Sequence, residues 1–224
     1  HNLLLVLSGR QDNARLQREK LLRDYPLNAT LWWLNWFDGR SESALAQWRG
    51  LCQGRDVNAL MTAGQLINWG MPALAADMLN ALDCQRTLPL YLQASLLPKA
   101  ERGELVVKAI DAFPQFVRFP NTLEEVAALE SIEECWFARH LLACFYYNKR
   151  SYNKAITLWQ RCVEMSPEFA DGWRGLAIHA WNKQHDYELA ARYLDNAYQL
   201  APQDARLLFE RDLLDKLSGA TPEK

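Results

Sequence analysis

The sequence predicts an all-α protein, a solenoid of about six or seven short helix pairs ended by a capping helix. Three observations predict it. No window alternates apolar and polar residues between turn signals, whereas helical spacing recurs along the chain. The loops between helical runs are short, so successive helices lie antiparallel as neighbours. Late in the chain the pattern repeats. Leu142-Ala143 recurs as Leu176-Ala177 and Asn148-Lys149 as Asn182-Lys183, both offset by 34. Tyr152, Ala155, Cys162 and Pro167 then recur as Tyr187, Ala190, Ala197 and Pro202, offset by 35. The extra residue falls between Lys183 and Tyr187. That stretch reads as the turn between two helices, where an insertion leaves both helical faces undisturbed.

In chain order, Ala14–Arg23 is helical and stops before Pro26. "ATLWWLNWF" follows, ended by Asp38-Gly39. "SESALAQWRGLC" takes Ser41 as its N-cap. "DVNALMTAGQLINW" ends at Gly70, and "PALAADMLNAL" carries Pro72 in its first turn. "LPLYLQASLL" and "GELVVKAIDAF" form another pair, ended by Pro114. Pro114 and Pro120 bracket a segment that cannot be helical throughout, which Phe113, Phe116 and Phe119 are expected to pin onto neighbouring helices. Thr122 with Glu125 is a capping-box pattern that restarts the helices. The expected organisation is degenerate pairs over 1–115, an irregular connector and short helix over 116–134, two well-formed units over 135–203, a capping helix over 204–217 and a disordered tail over 218–224.

The repeat resembles the tetratricopeptide (TPR) family. Leu142, Ala143, Tyr146, Ala155, Trp159, Cys162 and Pro167 fill that family's pattern once, and Trp173, Leu176, Ala177, Ala190, Leu194, Ala197 and Pro202 fill it again. Arg139 and Ala180 depart from it, standing where the pattern has Trp and Tyr. The resemblance implies a right-handed solenoid whose first helices line a concave side. The inward positions it implies are Phe137, His140, Cys144, Tyr147 and Asn148 in one unit, and Asp171, Arg174, Ile178, Trp181 and Asn182 in the next. These aromatics, amides and one Arg suit a protein or peptide segment, or they pack against the adjoining helix or a further domain. His140, Cys144 and Asp171 replace the Asn and Lys with which TPR carboxylate clamps are made.

The stretch from "YYNKRSYNKA" to "DARLLFERDLL" also resembles the C-terminal repeats of large bacterial proteins whose N-terminal domain is similar to sugar-mutarotase β-sandwiches. That resemblance implies a fragment of a longer protein. Its function would be a non-catalytic scaffold that binds a partner or its own N-terminal domain, or the accessory helical part of a carbohydrate-active enzyme.

Composition narrows the chemistry. Lys+Arg number 25 against 27 Asp+Glu, a net charge of −2 without a basic run, which argues against nucleic acid as a partner. Five Cys, an odd number with no two-residue spacing, form neither a disulfide framework nor a zinc knuckle, and point to a reducing, cytoplasmic setting. The apolar start "HNLLLVLSGR" is too short to span a bilayer, so no membrane partner is expected. The ten Gly form no phosphate-cradling motif, and no cofactor is expected. His179 and His185 are six apart, and His140 with Cys144 supplies two ligands where a structural zinc needs four, so no metal is expected. Glu124, Glu125, Glu133 and Glu134 are sequence neighbours on a solvated face, not carboxylates opposed across a substrate. Trp32 and Trp36 share a helical face, read as core packing, with an aromatic platform as the alternative.

Overall fold

The structure, a computed structural model, describes residues 2–53, 55–83, 85–112, 118–132 and 134–217. All regular elements among them are helical, and the fold class is all-α, of the helix-pair solenoid kind. The chain divides into two compact units, His1–Arg118 and Phe119–Lys224.

The first unit holds α1 (Asn2–Leu7), α2 (Gln11–Asp24), α3 (Ala29–Gly39), α4 (Glu42–Cys52), α5 (Asp56–Asn68), α6 (Pro72–Leu82), α7 (Thr87–Ser95) and α8 (Gly103–Asp111). They pack as the pairs α1–α2, α3–α4, α5–α6 and α7–α8. Local chemistry sets the starts. Asn28 Oδ1 accepts from Leu31 N at 3.1 Å, Ser41 Oγ accepts from Ala44 N at 3.4 Å, and Pro72 opens α6, where its missing N–H is not needed. Asn28 is thus a helix cap. Trp33 and Trp36 are buried, stacked on Phe37 at 5.6 Å and on Trp48 at 5.9 Å. Trp32 instead donates its indole N–H to the Pro26 carbonyl at 2.7 Å. The buried face is therefore that of Trp33 and Trp36, not of Trp32 and Trp36, and it is core rather than platform. Arg18, 1% exposed, pairs with Asp38 between α2 and α3, a buried ion pair without a sequence signal.

The second unit holds α9 (Leu123–Glu130), α10 (Trp136–Asn148), α11 (Tyr152–Met165), α12 (Ala170–His179), a π-helical turn at Ala180–Gln184, α13 (Tyr187–Leu200) and α14 (Ala205–Leu217). The pairs are α10–α11 and α12–α13, with α14 against α13. Thr122 and Glu125 form the capping box that starts α9. Glu125 is consequently buried at 3% exposure, not on a solvated face, because its carboxylate accepts the Asn121 and Thr122 N–H groups. Phe119 is 49% exposed and does not pin the connector. Phe113, Phe116, Glu133 and the expected tail lie outside the described residues.

Two turns recur. Within pairs, Gly9, Gly70 and Arg150 take left-handed φ values of 75°, 75° and 62°, and each following N–H reaches back five residues, Arg10 to Leu5, Met71 to Leu66 and Ser151 to Tyr146, all at 2.9 Å. Between pairs, Tyr25, Ser166 and Ala201 precede Pro with nearly one conformation, φ −132°, −141° and −136°. In the α12–α13 pair the closing bond runs from Asp186 N to Ala180 O, six residues instead of five. The inserted residue is therefore taken up by the last helical turn, widened to a π turn, and not by the loop after Lys183.

Candidate interaction surface in the second unit

Trp159 of α11 decides how the two pairs meet. Its indole lies over Gly175 of α12, where any Cβ would overlap the ring. Ala143, Ala155, Val163 and Leu176 complete this cluster. Cys162 is fully buried beside Gly172.

α10, α12 and α14 are the first helices of successive units, and the ten inward positions fall into two groups. The first is closed. Phe137 is fully buried, with its ring 6.0 Å from His140 and 6.1 Å from Phe169. His140 is 6% exposed, with Nε2 3.6 Å from Cys144 Sγ. Both residues therefore lie in the packing instead of lining a groove, because Phe169, at the start of α12, fills the space before them. Burial drives His140 down to about 4 and the Cys144 thiol up to about 12, so both are neutral near pH 7.

Asp171 and Arg174 are taken by α14. Arg206 donates to Asp171 Oδ1 at 2.8 Å and to Asp204 Oδ2 at 3.1 Å. Arg174 holds Glu210 with two bonds, Nε at 2.8 Å and Nη2 at 2.5 Å. Leu207 and Leu214 of α14, each 1% exposed, join Ala177, Ala180, Ala190, Leu194 and Ala197 in one cluster. Sequence reading missed this closure, although its signal was present. Asp171 and Arg206 are 35 residues apart, one repeat, so opposite charges occupy one repeat position and meet when the helices stack.

The second group reaches solvent. Asn148 and Asn182 are exposed, and Tyr147, Ile178 and Trp181 are half-buried. The Tyr147 ring lies 5.1 Å from Tyr152, 5.4 Å from Trp159 and 6.3 Å from His179. Trp181 packs on the cluster that holds α14. Among the described residues, no group of three or more His, Cys, Asp or Glu is placed to hold a metal ion. Cys52, Cys135, Cys144 and Cys162 are free thiols. No helix of the described residues is long and apolar enough to cross a membrane.

The fold and this surface define an all-α protein built of repeated helix pairs. No protein-family description matches the sequence. Among solved structures, the chain is similar to YrrB, a TPR protein with an unusual peptide-binding site, at 18% identity over 87% of this chain and 97% of that one, with a TM-score of 0.41. It is similar to the Cut9–Hcn1 hetero-tetramer of the APC/C at 15% identity over 98% of this chain and 42% of that one, TM-score 0.42. It is also similar to MamA at 17% identity over 92% of this chain and 96% of that one, TM-score 0.35.

Proposed function

We propose that the protein is a non-catalytic interaction scaffold whose second unit holds a protein or peptide segment on the open part of the α10–α12 face. Tyr147, Asn148, Ile178, Trp181 and Asn182 make the contacts. Phe137, His140, Asp171 and Arg174 are the closed frame that fixes the helices behind them. One observation carries this reading: Asn148 and Asn182 stand one repeat apart, both exposed, each beside a half-buried aromatic. A carboxamide both donates and accepts, so two at repeat spacing match the alternating N–H and C=O groups of an extended backbone, while the aromatics supply apolar area. If the chain is part of a longer protein, the partner segment can be supplied by that protein.

The test is a peptide-array or display screen followed by titration of the best binder. Asn148→Ala with Asn182→Ala should weaken binding about tenfold or more while the melting curve stays within a few degrees, and Trp181→Ala, which also loses packing on the Leu194 cluster, should weaken it about tenfold or more with the chain still folded at the assay temperature. Unchanged affinity in both variants would place the binding surface elsewhere.

A further inference from the structure

The turns that close α10 and α12 form one edge of the second unit, and its charges differ from those elsewhere in the unit. Lys149, Arg150, Lys154 and Lys183 are all exposed, and among the described residues none pairs with a carboxylate. Lys149 lies 5.6 Å from the Phe145 ring centre, Lys154 4.9 Å from Tyr146 and Lys183 4.8 Å from Tyr152. The Lys183–Tyr152 contact joins the two turns, since Lys183 follows α12 while Tyr152 begins α11. Toward α14, by contrast, Arg174, Arg206, Arg211 and Lys216 each have an acidic partner. Four cations without a carboxylate partner among the described residues are thus gathered at one edge, while the exposed Arg192 of α13 stands apart from them. Beneath it, the Tyr147 hydroxyl lies beside the Asn182 side chain, and Nδ1 of His179 is buried without a hydrogen-bond partner among the described residues. His179 is 7% exposed.

We propose that this edge selects an acidic peptide segment, with Lys149, Arg150, Lys154 and Lys183 engaging its carboxylates and Tyr146 and Tyr152 its apolar atoms. The proposal rests on the scaffold reading above and names the chemistry of its partner. A peptide fits better than a nucleic acid. Four cations are few for a phosphate backbone, and the carboxylates of Asp186, Glu188 and Glu130 flank the edge and repel a continuous polyanion. Spaced Asp and Glu side chains can avoid them.

The test titrates the full chain with fluorescein-labelled peptides of equal length, one Glu-rich, one neutral and one Lys-rich, and with an oligothymidylate. The Glu-rich peptide should bind most tightly and weaken several-fold between about 50 and about 300 mM NaCl. Lys149→Glu with Lys154→Glu and Lys183→Glu should weaken it about tenfold or more, whereas Arg192→Glu, an exposed charge on α13, should leave it unchanged. Equal binding of the neutral peptide, an unaffected triple variant or tighter binding of the oligothymidylate overturns the proposal. If neutral peptides bind and Trp181→Ala abolishes it, the scaffold reading survives without the acidic preference. If no peptide binds, both fall.

Discussion

Trp159 and Gly175 face each other because the indole needs flat backbone beneath it, and only glycine supplies that within a helix. Glycine costs the helix about 1 kcal/mol relative to alanine, so Gly175→Ala would be stabilising on propensity alone. The overlap with the ring reverses the sign. We expect Gly175→Ala to destabilise by about 1–3 kcal/mol through overpacking and Trp159→Ala by about 3–5 kcal/mol through the cavity left, both measured by denaturant unfolding. The pattern recurs 111 positions earlier, with Ala44, Trp48 and Gly64 for Ala155, Trp159 and Gly175 and Trp36 in place of Tyr147, Trp36 stacking on Trp48 as Tyr147 lies on Trp159. His140 carries a pH signature. Its folded value of about 4 is below the ordinary 6.5, so between them the unfolded chain binds the extra proton. Stability from this group is present above 6.5 and is lost as pH falls toward 4. His140→Leu should flatten that loss, by as much as a few kcal/mol in the wild-type minus variant difference. A difference that does not change with pH would mean that His140 is solvated.

At the scale of elements, α14 packs on α13 through chemistry visible in its register. The places where α12 presents Leu176 and Ala177 to its partner helix α13 are Arg211 and Asp212 in α14, one repeat later. Arg211 pairs with Asp195 of α13, and Asp212 with Lys216, so α14 carries charges at the places where α12 has apolar contacts. The Arg174–Glu210 pair is about four-fifths buried, with side chains 22% and 19% exposed. Removing one partner leaves a poorly solvated charge. Glu210→Ala should therefore cost about 1–3 kcal/mol, against a few tenths for Lys216→Ala in an exposed i, i+4 pair. In the first unit, Asn28→Ala should cost about 1 kcal/mol by leaving an N-terminal donor of α3 unsatisfied. Thermal melts of the three variants rank these effects. If Lys216→Ala proves as damaging as Glu210→Ala, the closing role of Glu210 is lost.

At the scale of the whole chain, the second unit has its own apolar clusters about Trp159 and about Leu194. A fragment of residues 119–217 should therefore unfold cooperatively by itself, checked by circular dichroism in denaturant. A non-cooperative melt would show that its core is incomplete. Apolar periodicity, caps and prolines fixed much of the fold in advance, because helices, their ends and the closing turns depend on residues only a few positions apart. The starts at Asn28, Ser41, Pro72 and Thr122 follow from side chains that bond or omit the nearest N–H groups, and three were readable as written. The candidate surface was only half legible. The resemblance implied ten inward positions, but a resemblance of this kind states which way a side chain is expected to leave its helix, not what arrives to meet it. Phe169 and Glu210 come from other elements to cover Phe137, His140 and Arg174, and a widened last turn absorbs the inserted residue beside Trp181. By itself the sequence determined the class, the pairing of helices and the residues that separate them, since these rest on local spacing. Only the tertiary structure decided which polar residues are spent on neighbours and which remain for a partner, because charge pairing and burial depend on distances that cross elements.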